Sequence, residues 1–171
     1  MDLSLVIPLL NEEDSLKELC ERLTAVLSST RLSYEILFID DGSVDRSSEV
    51  IKGLIRTYSQ ASLISLKRNY GKSNALMVGF SKAQGERVIT MDADLQDRPE
   101  NIPALLEKSE YDLVSGLRES RKDSVLKKLL SKIFNRLINF IFNVDCKDMN
   151  CGFKVYKKEL YKSLNLYGDL H

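Results

Sequence analysis

Short apolar runs alternate along this chain with longer stretches in which apolar residues recur every three or four positions. The runs at residues 3–8, 34–39, 62–66, 86–91 and 111–116 have the length and the aliphatic content of buried strands. Helical periodicity marks the stretches at about 11–27, 43–58, 73–83 and 99–107. Because strands that alternate with helices form βαβ units, the pattern predicts an α/β fold with a single, mainly parallel, twisted sheet flanked by helices.

Capping residues and apolar faces indicate where the first two helices lie. Asn11, or one of the acids that follow it, is expected to cap the first helix, and Ser43 or Asp45 the second. The inward face of the first helix should consist of Leu16, Leu19, Cys20, Leu23 and Leu27, and that of the second of Val50, Ile51, Leu54, Ile55 and Tyr58.

Polar clusters follow three of the predicted strands. They are residues 11–13 (NEE), the pair Asp40 and Asp41, and the pair Asp92 and Asp94. Each cluster alone is typical of helix caps and turns. Ligands of open parallel sheets bind beyond the carboxyl ends of the strands, so the three clusters together favour a binding site.

The last of these clusters has the chemistry of a metal site. Mg²⁺ and Mn²⁺ take hard oxygen ligands, usually one or two carboxylates completed by phosphate oxygens and water. Asp92 and Asp94, with the amide oxygen of Gln96, are therefore candidates to hold such an ion against a diphosphate. The alternative is a solvated turn, in which an isolated Asp-x-Asp is common.

Composition narrows the remaining possibilities. With 43% apolar and 29% charged residues, residues 1–171 are expected to form one globular domain. The net charge is zero, which argues against nucleic acid as a partner. Three cysteines without a paired CxxC motif and a single histidine, His171, argue against zinc and fit a reduced, cytoplasmic protein. The sequence contains no run of about 20 apolar residues that would span a membrane.

Residues 125–142 differ from the rest, since they predict one helix with a wide apolar face and a basic opposite side. The cations are Lys127, Lys128, Lys132 and Arg136, and the segment contains no acid. Such a helix suits peripheral contact with an anionic membrane surface. Packing of the same helix on the sheet or on a partner protein is the alternative.

Five segments match one known pattern in the same order along the chain. They are residues 8–13 (PLLNEE), 40–45 (DDGSVD), 68–72 (RNYGK), 92–97 (DADLQD) and 148–154 (DMNCGFK). With them the chain resembles the family 2 glycosyltransferases of GT-A fold, which have a Rossmann-like nucleotide-binding architecture. It is most similar to the polyprenyl-phosphate glycosyltransferases related to dolichol-phosphate mannose synthase. The resemblance covers almost the whole chain and leaves the sugar and the oligomeric state open.

The resemblance implies roles for particular residues. The nucleotide sugar, with uridine or guanosine as its base, would contact Pro8, Leu10, Glu12, Ile39, Asp41, Lys72, Asp92 and Ala93. A Mg²⁺ or Mn²⁺ ion would be held by Asp94, Gln96 and Asp92. The residues expected to act in catalysis are Asp94, Asp148 and Arg118. Members of this group usually continue into interfacial or transmembrane helices, so we expect the chain to be the catalytic part of a longer protein at the inner face of the membrane.

The implied reaction is transfer to a polyprenyl phosphate with inversion at the anomeric carbon. A divalent ion, helped by Arg118 or Lys72, would stabilise the departing diphosphate. A phosphate monoester is already anionic near neutral pH and needs no general base, which fits a chain with one terminal histidine. A hydroxyl acceptor would instead need a base such as Asp148 or Asp97.

Three other functions fit parts of the pattern. A nucleotidyltransferase would carry a glycine-rich basic loop after the first strand, where this chain has PLLNEE. A glycosyltransferase that acts on a soluble or cell-surface glycan would not need the basic helix at 125–142. A non-catalytic scaffold that keeps the fold would not need Asp92, Asp94 and Gln96.

Overall fold

The computed structural model describes residues 1–108, 110–116 and 151–167. The strands are β1 (Leu3–Leu9), β2 (Tyr34–Asp40), β3 (Ala61–Ser65), β4 (Arg87–Thr90), β5 (Leu113–Ser115) and β6 (Lys154–Lys157). The helices are α1 (Leu16–Ser29), α2 (Ser47–Ile55), α3 (Lys72–Lys82), α4 (Ile102–Leu106), which follows a 3₁₀ turn at Pro99–Asn101, and α5 (Lys158–Ser163).

The six strands form one sheet in the order β3-β2-β1-β4-β6-β5. β1 pairs in parallel with β2 and β4, and β2 pairs in parallel with β3. β6 runs antiparallel to both β4 and β5. All seven residues of β1 are buried, as expected for a central strand that is covered on both faces. The predicted α/β fold with a mainly parallel sheet is therefore confirmed.

Two cores lie on opposite faces of the sheet, because successive side chains of β1 point to opposite sides. Leu5 and Ile7 belong to the core beneath α1 and α2, whereas Val6 belongs to the core beneath α3 and α5. The inward faces predicted for the first two helices are confirmed. The five predicted residues of α1 are buried, and Ile51 of α2 is buried. Val50, Leu54 and Ile55 of α2, and Tyr58 just beyond its end, are partly buried against the same core.

The first helix begins later than predicted. It starts at Leu16, and Asn11 is not its cap. Asn11 has a φ of +57° and accepts a hydrogen bond from the backbone N–H of Val44 through its side-chain oxygen, at 2.9 Å. The prediction was wrong because Asn11 serves a contact with a segment 33 residues away, a use that local spacing does not reveal.

β6 and α5 were not predicted. β6 is four residues long, and Lys154 and Lys157 at its ends are half-buried, so its apolar run is too short to indicate a strand. The helix predicted at 99–107 is divided into the 3₁₀ turn and α4.

Several predictions concern residues outside the described part of the chain. They are the basic helix at 125–142, Arg118, Asp148, Cys146 and His171. Within the described residues, none of the helices combines the length and the hydropathy that crossing a bilayer requires.

Candidate active site

The carboxyl ends of β1, β2 and β4 open onto a cleft of about 460 Å³. Its lining contains most of the residues predicted to bind a nucleotide sugar, which are Pro8, Leu10, Glu12, Asp41, Lys72, Asp92 and Ala93. It also contains Asp94, which was predicted to hold the metal ion. Leu9, Asn69, Gly71 and Ala75 complete the lining. Two predicted residues are not part of it, since Ile39 is buried within β2 and Gln96 is exposed beside the cleft. The three polar clusters thus meet at one edge of the sheet, as the sequence predicted.

Lys72 and Asp92 form an ion pair on the wall of the cleft. The Nζ atom of Lys72, at the first position of α3, donates a hydrogen bond to Oδ1 of Asp92, two residues after the end of β4. Both side chains are half-buried, with 30% and 22% of their surfaces exposed. Partial burial weakens solvent screening, so this cation and carboxylate interact more strongly than a pair on the open surface.

Asp94 differs from Asp92 in its exposure. It stands at the start of a tight turn in which Leu95 has a φ of +61°, and its Oδ1 accepts a hydrogen bond from the backbone N–H of Gln96, at 3.0 Å. Asp94 is exposed, and it lines the cleft beside Ala93. A carboxylate in this position is accessible to a cation that enters with a ligand.

The adjacent acids at the end of β2 hold two loops. Asp40 accepts hydrogen bonds from the backbone N–H of Ser43, at 2.8 Å, and from the hydroxyl of Ser48. Asp41 accepts hydrogen bonds from the backbone N–H groups of Tyr70 and Gly71, each at 2.8 Å. Both acids are almost completely buried. Asp41 also lines the cleft, so its hydrogen bonds hold the loop after β3 next to the cleft. A carboxylate oxygen has two lone pairs, so Asp41 retains the capacity to accept a further bond from a ligand.

Gly42 lets the loops after β2 and β3 approach each other. Its φ is +79°, and a Cβ at this position would lie 2.5 Å from the backbone carbonyl carbon of Arg68. Since neither backbone has a flexible end that can move aside, glycine is required here.

The cleft is electronegative at the position of Glu12. Partial burial raises the pKa of the Glu12 carboxyl, a hydrogen bond from Ser15 opposes this, and the negative charges of Asp94, Asp45 and Asp92 raise the pKa further. The carboxylates after β1 and β4 are therefore close enough to interact. An anionic ligand would be bound here only together with cations.

The loops after β1 and β2 are joined by reciprocal hydrogen bonds. The backbone N–H of Asn11 donates to Ser43 Oγ at 2.9 Å, and that of Glu12 donates to Ser47 Oγ at 2.8 Å. Glu13 Oε2 accepts from the backbone N–H of Arg46 at 2.9 Å. These contacts hold the loops after β1 and β2 in one arrangement at the rim of the cleft.

Thr90 and Gly152 both lie next to the ion pair, although neither was predicted from the sequence to have a role in the site. Thr90 Oγ1 donates a hydrogen bond to the carbonyl oxygen of Gly152 at 2.6 Å. Gly152 in turn lies against the Asp92 carboxylate. The signal was present, because Gly152 belongs to the 148–154 segment, but the segment alone does not indicate which residue Gly152 contacts.

The described residues contain no group of three or more His, Cys, Asp or Glu side chains arranged to enclose a metal ion. The side-chain oxygen donors near the β4 turn include the carboxylates of Asp92 and Asp94 and the amide of Gln96. Such a set fits an ion that shares its coordination with the oxygens of a bound ligand, as Mg²⁺ does with substrate phosphates.

The fold and the cleft together identify this chain as a protein of GT-A fold. A solved structure of glucosyl-3-phosphoglycerate synthase from Mycobacterium tuberculosis, in complex with Mn²⁺, UDP-glucose and phosphoglyceric acid, matches it with a TM-score of 0.78 at 21% identity, over 99% of this chain and 61% of that one. A complex of the same synthase with Mn²⁺, UDP and glucosyl-3-phosphoglycerate matches with a TM-score of 0.76 at 20% identity, over the same shares of the two chains. At these identities the likeness concerns the fold.

The chain belongs to the glycosyl transferase family 2, whose pattern matches residues 4–164. Its relatives include an undecaprenyl-phosphate 4-deoxy-4-formamido-L-arabinose transferase from Edwardsiella ictaluri, 40% identical over 164 residues, and one from Shewanella sediminis, 42% identical over 164 residues. Each alignment covers 94% of this chain and 50% of the relative, so the chain spans about half the length of the curated relatives it matches. The predicted resemblance to polyprenyl-phosphate glycosyltransferases of family 2 is confirmed.

Proposed function

We propose that residues 1–171 form the catalytic domain of an inverting glycosyltransferase that moves a sugar from a nucleotide diphosphate sugar to a polyprenyl phosphate. The observation that carries the proposal is the Lys72–Asp92 ion pair beside the exposed Asp94, in one cleft at the carboxyl edge of the sheet. The names of the 40–42% identical relatives support the choice of a polyprenyl phosphate as acceptor.

The donor would occupy the cleft with its base towards β1 and β2 and its diphosphate towards β4. Pro8, Leu10 and Glu12 would line the base and ribose end, with Asp41 as the hydrogen-bond acceptor for a base N–H and Ile39 as a backbone contact. Ala93 and Asp92 would lie against the ribose and diphosphate. A uridine and a guanosine base both offer N–H donors, so the proposal covers UDP- and GDP-sugars.

A divalent cation, Mg²⁺ or Mn²⁺, would be held by Asp94, with Gln96 and Asp92 nearby. The exposed carboxylate of Asp94 and the hard oxygen donors of the turn fit such an ion. When bound, it supplies charge neutralisation to the leaving diphosphate. Lys72 adds a fixed positive charge on the same wall of the cleft, where a preorganised cation stabilises the developing negative charge.

The acceptor would attack through a phosphate oxygen, which is already anionic near neutral pH. This removes the need for a general base and agrees with a sequence whose one histidine is residue 171. Arg118 would contact the phosphates, and Asp148 would orient the acceptor. The basic helix expected at 125–142 would contact the cytoplasmic face of the membrane, where the lipid phosphate lies.

The test is a donor panel with two kinds of acceptor. UDP- and GDP-sugars are incubated with the full chain, Mn²⁺, and either undecaprenyl phosphate in micelles or a soluble oligosaccharide. We expect transfer to undecaprenyl phosphate from donors of one nucleotide, with the anomeric configuration inverted. Flotation with phosphatidylglycerol liposomes is expected to recover the chain with the lipid.

Two results would overturn the proposal. Transfer to the soluble oligosaccharide alone would make the protein a glycan-modifying enzyme. A chain that binds neither UDP nor GDP in calorimetry with Mn²⁺, and transfers nothing, would be a scaffold that has kept the fold.

A further inference from the structure

Gly152 lies directly behind the carboxylate of Asp92. A Cβ built on Gly152 would be 2.8 Å from both Oδ atoms of Asp92 and 2.9 Å from its Cγ. Ordinary van der Waals contact begins at about 3.4 Å, so a methyl group at this position and the carboxylate cannot keep their present places. The Asp92 carboxylate therefore occupies space that is open only because residue 152 has no side chain.

The backbone around Gly152 is held from two sides. Thr90 Oγ1 donates to the carbonyl oxygen of Gly152 at 2.6 Å, and the backbone N–H of Gly116 donates to the carbonyl oxygen of Phe153 at 2.8 Å. Lys154, two residues further on, is in register with Thr90 in the β4–β6 ladder. Because Gly152 leads into β6 and its carbonyl is held by Thr90, an added side chain at Gly152 would be relieved by movement of the Asp92 side chain.

Movement of the Asp92 carboxylate would affect Lys72, whose Nζ donates to it. Lys72, Thr90, Asp92 and Gly152 also line one small cavity, so the four groups are contiguous. Neither Thr90 nor Gly152 is part of the lining of the large cleft. Their effect on a ligand in the cleft would be exerted through Asp92 and Lys72.

We infer that Gly152, held by Thr90, is a positioning residue that seats the Asp92 carboxylate against Lys72. The segment at 151–153 thereby sets the geometry of a cleft built mainly from β1, β2 and β4. This inference rests on the proposed function, because its effect is measured on donor turnover.

The test compares Gly152→Ala with Gly53→Ala, a glycine whose added Cβ would meet nothing within 4 Å. We expect Gly152→Ala to lower kcat/KM for the best donor on the order of tenfold, since sub-ångström misplacement of a positioned group is costly. Its melting temperature should change little, because the displaced atoms are the end of a side chain. Gly53→Ala should turn over the donor as the wild type does.

Two further comparisons separate positioning from a general structural role. In an Asp92→Ala background, adding Gly152→Ala should change kcat/KM less than twofold, because the group that it displaces is gone. Thr90→Val should lower kcat/KM, whereas Thr90→Ser, which keeps the hydroxyl, should restore it.

The inference is overturned if the wild type turns over donor and Gly152→Ala does so equally well, or if the losses from Gly152→Ala and Asp92→Ala multiply independently. If Gly152→Ala does not fold, equal losses in Thr90→Val and Thr90→Ser overturn it. These results differ from failure of the proposed function, in which the wild type itself neither binds UDP or GDP nor transfers a sugar.

Discussion

Acidic residues that look alike in the sequence have different surroundings at this edge of the sheet. Asp40 and Asp41 accept hydrogen bonds from backbone N–H groups and are buried, Asp92 is paired with Lys72, and Asp94 is exposed. Removing a buried acceptor leaves backbone donors without partners and destabilises the fold. Removing an exposed carboxylate removes the charge and the metal ligand that it offers, and it has little effect on folding. Substitutions at these acids should therefore separate folding from function.

Replacement of Asp94 tests the functional side of this division. Asp94→Ala should leave the protein folded and lower metal-dependent donor turnover about 100-fold or more, since a preorganised charge contact is lost. Turnover at several Mn²⁺ concentrations, together with circular dichroism, measures both effects. Glu107→Ala, at an exposed acid after α4, is the control. Undiminished turnover in Asp94→Ala would remove the metal role from this residue.

Replacement of Glu12 tests the electrostatics of the cleft. The pKa of Glu12 is raised above its usual 4.5, first by burial, so the native state holds its proton more tightly than the unfolded chain. Stability therefore falls as pH rises through the interval between the two pKa values, and the full penalty is present above it. Glu12→Gln should melt at a higher temperature than wild type near pH 7 and at the same temperature near pH 3.5.

Thermal melts of wild type, Glu12→Gln and the exposed Glu107→Gln at both pH values would measure this. A gain of equal size at both pH values would show that ionisation of Glu12 is not its cause.

At the scale of elements, the position of α3 determines where Lys72 lies. The helix begins directly after Gly71, whose φ is +90°, and it packs on β1 through Gly79. A side chain on Gly79 would overlap the side chain of Val6 in the core. The absence of a side chain at Gly79 thus allows the helix to lie close to the central strand.

Gly79→Ala should shift α3 and destabilise the protein. Overpacking costs about 1–3 kcal/mol and exceeds the 0.5–1 kcal/mol that alanine gains over glycine inside a helix. The expected net loss is about 1–2 kcal/mol in urea denaturation. The same exchange at Gly53 of α2, where the space is open, should instead be neutral or stabilising. Equal effects at the two glycines would contradict the packing argument.

The loop that carries Asp94 ends at a 3₁₀ turn that is joined to a helix. Arg22 of α1 donates to both carboxylate oxygens of Glu100, at 2.9 and 2.7 Å. Such a bidentate pair restricts the geometry of both partners more than a single contact does. It fixes the 3₁₀ turn, and with it the end of the loop that leaves β4, to the surface of α1.

For the molecule as a whole, ligand binding should be coupled to stability. A ligand that binds only the native state at 100 times its dissociation constant stabilises it by about 2.7 kcal/mol, which raises the melting temperature of a protein of this size by roughly 5–10 °C. We expect this shift with Mn²⁺ and either UDP or GDP.

The shift should shrink when EDTA removes the metal, and Asp94→Ala should lose the metal-dependent part. A shift of the same size with and without EDTA would argue that the nucleotide is bound without a cation.

The pattern of the sequence was sufficient to predict strands β1 to β5, helices α1 to α3 and the inward faces of α1 and α2. It was also sufficient to predict that three acidic clusters meet at one edge, because parallel strands bring their carboxyl ends together. β6 was missed because a strand of four residues with half-buried lysines at its ends has no recognisable period.

By itself, then, the sequence determined the class of fold, the edge of the sheet where the cleft lies and the residue types available there, since these follow from periodic burial and from short motifs. Tertiary structure alone decided which partner each acid contacts. Asp41 contacts a loop about 30 residues away, and Asp92 contacts Lys72 and lies against Gly152. The physical reason is that burial leaves a local pattern in a sequence. Hydrogen-bond and contact partners are set by chain segments that only folding brings together.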